Sequence, residues 1–243
     1  MGVLEGKNIL VTGASSGMGR VFCQMIAKEA ATVTLVARNE ERLKQTLSGM
    51  IGSGHNYLLC DLTDDKQLDD LVSVVAPLDG VVFTAGINDY VPVKFINKDK
   101  IEKIFQTNYY SQIILTQKLL KKKLINKGAS LVYISSLSSN LGIPGTLLYA
   151  SSKAALNSAV RVIAAELAPQ GIRANAICPG IVKTEMLTGT NIDESTFLDK
   201  AKDYPLGLGT PEDVGNAVLF YLSENSRWLT GNMLVLDGGY SLK

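Results

Sequence analysis

Histidine occurs once in the 243-residue chain, at His55, and cysteine three times, at Cys23, Cys60 and Cys178. One imidazole and three scattered thiols cannot build a His/Cys metal centre. A carboxylate-only site is the remaining metal option, and no clustering of Asp and Glu marks one. The odd, widely spaced cysteines have apolar neighbours. They read as buried thiols in a reducing compartment and exclude a disulfide framework. Neither sign of charge dominates: 24 Lys and Arg against 23 Asp and Glu give a net charge of +1. That balance lacks the basic footprint of a nucleic-acid binder. No apolar run is long enough to cross a bilayer. The segment Met1–Lys7 has no basic stretch leading into an apolar one, and Gly6 stands where a myristoylation signal has Ser or Thr. No linker-like Pro/Gly/Ser stretch, internal repeat or low-complexity segment interrupts the chain. The expectation is a cytoplasmic protein with no membrane and no nucleic-acid partner. With 46% hydrophobic residues a large core is easily built, and one domain over 1–243 is expected.

What is present is a regular alternation. Lys7–Thr12, Thr32–Ala37, Tyr57–Cys60, Gly80–Thr84, Ser130–Ile134, Arg173–Cys178 and Asn232–Leu236 read as short strands, several apolar without alternation, as when both faces are covered. Gly17–Ala30, Glu40–Met50, Asp65–Val75, Ile101–Leu124, Tyr149–Leu167 and Pro211–Ser223 read as helices. Asn39 is placed to cap the second of these, and Thr210 with Pro211 to start the last. Strand–helix–strand repetition with right-handed crossovers predicts an α/β fold: one doubly wound parallel sheet of about seven strands with helices on both faces. The stretch Ile181–Leu208 has no clear periodicity and follows the C-terminal end of a strand, the side on which open α/β sheets bind ligands. It is a candidate substrate lid. Asn191, Asp193, Glu194, Ser195 and Thr196 give it a polar middle beside Met186, Leu187, Phe197 and Leu198.

The first strand runs into Thr12-Gly-Ala-Ser-Ser-Gly-Met-Gly19. Glycines in a strand-to-helix turn let backbone N–H groups approach a pyrophosphate, and the helix N-terminus adds partial positive charge. Gly13, Ser15, Ser16, Gly17, Met18 and Gly19 are therefore candidate cofactor ligands. The second strand ends Ala37-Arg38-Asn39. An acidic residue there would favour a free ribose 2′-hydroxyl, whereas Arg38 suits a 2′-phosphate through bidentate, charge-assisted hydrogen bonds. NADP(H) is expected over NAD(H).

Tyr149 and Lys153 are four apart on a predicted helix, hence on one face. A free phenol titrates at about 10, and a neighbouring ammonium is expected to lower that value toward a useful general acid or base. Ser135-Ser136-Leu-Ser138-Ser139 puts hydroxyls at the end of the Ser130–Ile134 strand, where a substrate would lie. Each piece alone is common; serine clusters are also plain loop formers.

Taken in order, these motifs resemble the short-chain dehydrogenase/reductase family, from about Lys7 to Gly239, and in particular its 3-oxoacyl-[acyl-carrier-protein] reductase-like members. The resemblance implies a Rossmann fold, a nicotinamide cofactor, and hydride transfer between it and a carbonyl or secondary alcohol. It implies Asn108, Ser136, Tyr149 and Lys153 as the catalytic set. Tyr149 would exchange the proton, Ser136 would hold the carbonyl oxygen, and Lys153 would bind the nicotinamide ribose. Asn108 would act through its backbone at a helix irregularity and place a water in a relay to Lys153. It further implies cofactor contacts from Asp61 and Leu62 at the adenine, from Ala85 and Gly86, and from Pro179, Gly180, Val182 and Thr184 at the nicotinamide. Pro205–Val214 and the stretch from Thr230-Gly231 to Gly239 match the family's C-terminal pattern. Members usually form homotetramers or homodimers through two long helices, here Ile101–Leu124 and Tyr149–Leu167.

Two departures stand out. Phe83-Thr84-Ala85-Gly86 has Thr84 where the family has a second asparagine tying the central strands. A hydroxyl can still donate and accept there, so a local stability change is expected. The segment Asp65–Leu78 is also short. The leading reading is an NADP(H)-dependent reductase of a ketone or 3-oxoacyl thioester, possibly carried on an acyl carrier protein. Lys121-Lys-Lys123 and Lys127 could dock such an acidic partner, while the neutral Gln170 weakens the idea. A sugar, polyol or other small alcohol is the alternative substrate. A non-catalytic cofactor-binding protein is the third reading, opposed by the intact set of four residues.

Overall fold

The computed structural model describes residues 2–184 and 201–242. Seven parallel strands form one sheet in the order β3-β2-β1-β4-β5-β6-β7. They are β1 (Asn8–Thr12), β2 (Thr32–Ala37), β3 (Asn56–Leu59), β4 (Leu78–Phe83), β5 (Ile125–Ile134), β6 (Arg173–Pro179) and β7 (Met233–Leu236). The helices are α1 (Gly17–Lys28), α2 (Glu40–Ser48), α3 (Asp65–Val74), α4 (Lys98–Phe105), α5 (Ser111–Lys121), α6 (Leu147–Leu167) and α7 (Pro211–Leu222). The doubly wound architecture expected from the sequence is the one observed.

Strand side chains alternate between faces, and each face carries its own core. Ile9, Val11, Val82, Val132 and Ile177 pack under Phe22, Ile26, Leu43, Val214 and Val218 of α1, α2 and α7. Leu10, Val81, Phe83, Leu131 and Tyr133 pack under Leu68, Leu115, Leu119, Leu156 and Val160 of α3, α5 and α6. Phe83 and Tyr133 stack across β4 and β5 with centroids 4.3 Å apart. Helix starts follow local chemistry. Asn39 Oδ1 accepts from the Arg42 N–H, and Thr210 with Asp213 forms a reciprocal capping box behind Pro211. The long helix expected over Ile101–Leu124 begins earlier, at Lys98, and is broken in its middle by a wide turn, Gln106–Tyr110. There the Ser111 N–H reaches back five residues to the Gln106 carbonyl. One extra residue per turn leaves the apolar spacing on either side almost intact, so periodicity did not reveal it.

Arg173, inside the β6 strand, is buried. Its guanidinium donates to the carbonyls of Tyr221 (2.9 Å), Ser223 (3.2 Å) and Ser226 (3.2 Å) and to Ser226 Oγ (2.6 Å). It thereby adds a charged donor to the carbonyls at and just beyond the end of α7, and burial holds its pKa below the ordinary arginine value. Arg173→Met should lower the unfolding free energy by roughly 2–4 kcal/mol, since several buried hydrogen bonds from one charged donor are lost together. Urea unfolding followed by circular dichroism measures it, and a loss below about 1 kcal/mol would contradict the bracing role.

Candidate active site

β1 lies between β2 and β4, so the chain leaves it in one direction and returns on its other side. A crevice opens at such a reversal, beyond the C-terminal strand ends. Here the two sides nearly touch. A Cβ on Gly13, whose φ is +66°, would sit 3.0 Å from the Ala85 N and Cα atoms. A Cβ on Gly19 would sit 2.3 Å from the Gly13 carbonyl oxygen, so the turn closes onto the first residues of α1 only with glycine there. Ser16, the residue before α1, makes no side-chain cap, unlike Asn39, Asp64 and Asn97 before α2, α3 and α4. The first N–H groups of α1 thus face the crevice as donors for an anion.

The crevice encloses about 620 Å³. Gly13, Ser15, Ser16, Gly17, Met18 and Gly19 line it from one side, Arg38, Asp61 and Leu62 at one end, and Ala85, Gly86 and Thr184 elsewhere. These are twelve of the residues that sequence reasoning proposed, brought to one cavity. Donors of the glycine turn, a cation at the β2 end and a cavity of this size together fit a dinucleotide. The wall also includes Asn39, Arg42, Thr63, Lys103, Gln106 and Thr107, which the sequence reading did not nominate. A signal for Arg42 existed. The Asn39 cap places it in the first turn of α2, just beyond Arg38.

Charge at the β2 end is already arranged. The exposed Arg38 guanidinium lies 3.5 Å from Asp61 Oδ2. Asp61 Oδ1 accepts from Thr63 N–H (2.9 Å) and Thr63 Oγ (2.7 Å). Burial works against this carboxylate, yet the Thr63 hydrogen bonds and Arg38 outweigh it and hold its pKa below the usual range.

None of the four residues proposed as catalytic is part of the cavity wall; Asn108 and Lys153 stand against Gly86, which is, and Lys153 in turn neighbours Tyr149. A Cβ on Gly86 would lie 3.3 Å from Asn108 Oδ1 and 3.5 Å from Lys153 Nζ, so these two side chains press on the same backbone. Asn108 sits in the wide turn between α4 and α5, fully buried. Its amide takes the Ile87 N–H (2.8 Å), donates to the Ile87 carbonyl (2.9 Å), and donates to Ser152 Oγ (3.2 Å). Lys153 Nζ donates to the Ile134 carbonyl at 2.7 Å and lies 5.9 Å from the Tyr149 ring centre. Ser136 caps the turn after β5, its Oγ accepting the Ser138 N–H at 3.1 Å, and its hydroxyl lies near enough to the Tyr149 phenol to favour the ionised form.

The electrostatics correct one expectation. Burial pushes the Tyr149 phenol up, with the Ser136 hydroxyl opposing it. Burial pulls Lys153 down to about 8. Desolvation penalises the charged form of both groups and is the largest cause of each shift. Thr84 gives a second correction. Its hydroxyl is buried without a hydrogen-bond partner among the described residues. The central strands are tied instead by Thr12 Oγ, which donates to the Val82 carbonyl (3.4 Å) and accepts the Thr84 N–H (3.1 Å).

At the other end, β6 finishes at Pro179, and the Gly180 N–H is held by the Leu236 carbonyl at 2.8 Å. Val182 bridges to Gly209, which leads Thr184 into the cavity facing Gly17. Pro179, Gly180 and Val182 support this approach and are not part of the cavity wall. The middle of the expected lid, 185–200, lies outside the described residues.

A family model described as Enoyl-(Acyl carrier protein) reductase matches residues 13–241. A 3-oxoacyl-[acyl-carrier-protein] reductase FabG of Rickettsia bellii is 32% identical over 238 residues, covering 97% of each chain. A cyclopentanol dehydrogenase of Comamonas testosteroni is 32% identical over 250 residues, covering 99% of each. Among solved structures, a short chain dehydrogenase/reductase family protein superposes with a TM-score of 0.86 at 32% identity, over 98% of this chain and 99% of that one. A putative gluconate dehydrogenase from Agrobacterium tumefaciens reaches a TM-score of 0.92 at 25% identity, over 98% and 96%. With the glycine turn at the strand reversal and the full-length match in agreement, the chain belongs to the short-chain dehydrogenase/reductase family of nicotinamide-dependent oxidoreductases.

Proposed function

We propose that this protein is an NADP(H)-preferring carbonyl reductase acting on a ketone or 3-oxoacyl thioester, with Asn108, Ser136, Tyr149 and Lys153 as its catalytic set. The observation that carries the reading is the convergence of Asn108 and Lys153 on Gly86, the residue joining the dinucleotide cavity to the Tyr149 helix. The bound nicotinamide supplies the hydride. Ser136 and Tyr149 hold the carbonyl oxygen, and Tyr149, kept protonated by burial, gives it a proton as negative charge develops there. Lys153, fixed by the Ile134 carbonyl, presents a cation beside the phenol and can accept ribose hydroxyls. Arg38, with Arg42 one helical turn into α2, offers positive charge for a 2′-phosphate.

The FabG relatives favour a 3-oxoacyl substrate. A small cyclic or sugar-derived alcohol is the second reading, favoured by the cyclopentanol dehydrogenases and by the neutral Gln170. A dimer or tetramer, in the cytoplasm, completes the proposal. Ile101, Tyr110, Leu147 and Val162 leave apolar surface exposed on or beside α4, α5 and α6, and Trp228 with Val235 does so near the β7 edge. Among the described residues no helix is long and apolar enough to cross a membrane.

NADPH consumption with acetoacetyl coenzyme A and with cyclopentanone tests the reaction. Tyr149→Phe should reduce turnover by at least about a hundredfold while NADPH still binds, because only the proton donor is lost. Retained turnover would refute the assignment. Arg38→Ala should weaken NADPH binding roughly tenfold or more and leave NADH nearly unchanged, read by cofactor fluorescence titration. Equal effects on both cofactors would remove the case for phosphate recognition. Lys153 gives a pH-dependent stability test. Its folded pKa of about 8 lies below the ordinary value of 10.5. Between those values the unfolded chain binds the proton more tightly, so this group's contribution to stability rises with pH there and is least favourable below pH 8. Lys153→Met should therefore compare more favourably with wild type at pH 7 than at pH 10, by on the order of 2 kcal/mol in urea unfolding. No change in that difference would mean that Lys153 is not strained by burial.

A further inference from the structure

Gln112, on α5, is almost wholly buried. Its Nε2 donates to two main-chain carbonyls, Asn108 at 3.0 Å and Ala85 at 3.1 Å. Both partners are carbonyl oxygens, so the nitrogen must face them and the orientation of the amide is fixed. The other end of the same amide, Oε1, is buried without a hydrogen-bond partner among the described residues. A leucine of similar size would bury the surface without that unmet acceptor. The side chain is thus committed to its two donor contacts and not to filling space.

Those contacts stand at a junction. Ala85 flanks Gly13 across the cofactor crevice. Asn108 passes its own side chain to Ile87 and to Ser152 Oγ, and Ser152 Oγ donates to the Tyr149 carbonyl at 2.7 Å. A continuous line runs from the β4 end through Gln112, Asn108 and Ser152 to the helix turn carrying Tyr149 and Lys153. We propose that Gln112 is a positioning residue, holding the wall of the cofactor crevice in register with the proton-donor helix through the Ala85 and Asn108 carbonyls. The inference rests on the reductase reading above. Gln112 touches neither substrate nor cofactor in it.

The neighbouring residue of the same buried polar row supplies a control. Thr116 Oγ donates to the Gln112 main-chain carbonyl at 2.7 Å and meets Tyr133 OH at 2.9 Å. Thr116→Val breaks that buried contact without touching the Asn108 or Ala85 carbonyls. The test compares wild type, Gln112→Leu, Gln112→Glu and Thr116→Val with NADPH, hydride-deuterated NADPH, acetoacetyl coenzyme A and cyclopentanone. Backbone carbonyl ¹³C shifts of Ala85 and Asn108 are measured on the same proteins. Gln112→Leu should lower kcat roughly tenfold to a hundredfold, as misplacement by a fraction of an ångström does, with KM within roughly threefold. Its isotope effect on kcat should rise, because hydride transfer becomes slower relative to release. Gln112→Glu should recover activity as pH falls, since only its protonated acid can donate to a carbonyl. Thr116→Val should leave the isotope effect unchanged. A lowered kcat with an unchanged isotope effect would mean a smaller folded fraction and would overturn the positioning role, as would an unchanged kcat. Should wild type reduce neither carbonyl, the reductase reading fails by itself. The carbonyl shifts then decide separately, and Asn108 and Ala85 signals unmoved in Gln112→Leu and Gln112→Glu would overturn the network.

Discussion

A buried ammonium organises the working end of the molecule. Lys153 sits under the ends of β5 and β6 with its Nζ fixed at 2.7 Å from the Ile134 carbonyl. Removing a charged amine from water is costly, and the cost appears as a pKa drawn down to about 8. The adjacent phenol is pushed the other way for the same reason. Both shifts favour neutral groups, and the direction of each has a consequence. A Tyr149 that keeps its proton is a donor, which suits reduction of a carbonyl better than removal of a proton from an alcohol. A Lys153 that titrates near the physiological range changes its charge for little free energy. Any partner able to solvate the ammonium, a ribose hydroxyl pair for instance, would tip it toward the charged form and bring the phenol down with it.

The sheet makes that burial possible without isolating it. Reversal of strand order beside β1 opens the crevice, and Gly13 lets the turns that follow β1 and β4 close to backbone contact. One residue past Ala85, beyond the end of β4, Gly86 has Asn108 and Lys153 against it together. A side chain there would meet both of them, Asn108 Oδ1 at 3.3 Å and Lys153 Nζ at 3.5 Å from its Cβ. Asn108 in turn needs the wide turn between α4 and α5 to reach Ile87 while its main chain meets Gln112. Topology, glycine and one irregular helical turn are therefore parts of a single arrangement.

Much of this was legible in the sequence, and the exceptions share a cause. Apolar runs such as Ile9–Val11 and Gly80–Phe83 report burial on both faces, so strand bounds were recovered to within two residues except at β5, which begins at Ile125, five residues before the expected Ser130. Asn39 and Thr210 announce helix starts by chemistry that acts within four residues. What escaped depends on partners far along the chain. Arg173 resembles a solvated strand end until the carbonyls of Tyr221, Ser223 and Ser226 are placed beside it. Gln112 reads as an ordinary polar helix residue, and nothing local says that Ala85 lies within 3.1 Å. Thr84 could be expected to bond through its hydroxyl, but Thr12 from β1 reaches the same strand first. The weight of burial at Tyr149 and Lys153 was equally out of reach, because spacing on a helix gives proximity and says nothing of desolvation.

In the proposed reading, a weak contact at the Arg38 end of the crevice serves cofactor selectivity. Arg38 and Asp61 are 3.5 Å apart, with Arg38 largely in solvent. An exposed pair of this kind contributes about 1 kcal/mol or less, so Arg38 can leave it at little cost. A 2′-phosphate offers two charge-assisted hydrogen bonds in return, in the planar geometry that guanidinium matches. Asp61 does not become a stray charge when that happens, since Thr63 still supplies two donors to its Oδ1. The freed Oδ2 can instead accept from an adenine amino group. A cofactor lacking the phosphate leaves Arg38 with Asp61, and the carboxylate is then shared between arginine and adenine. Discrimination would come from the exchange of Arg38 between two anions, with Asp61 held ready by Thr63 in either case.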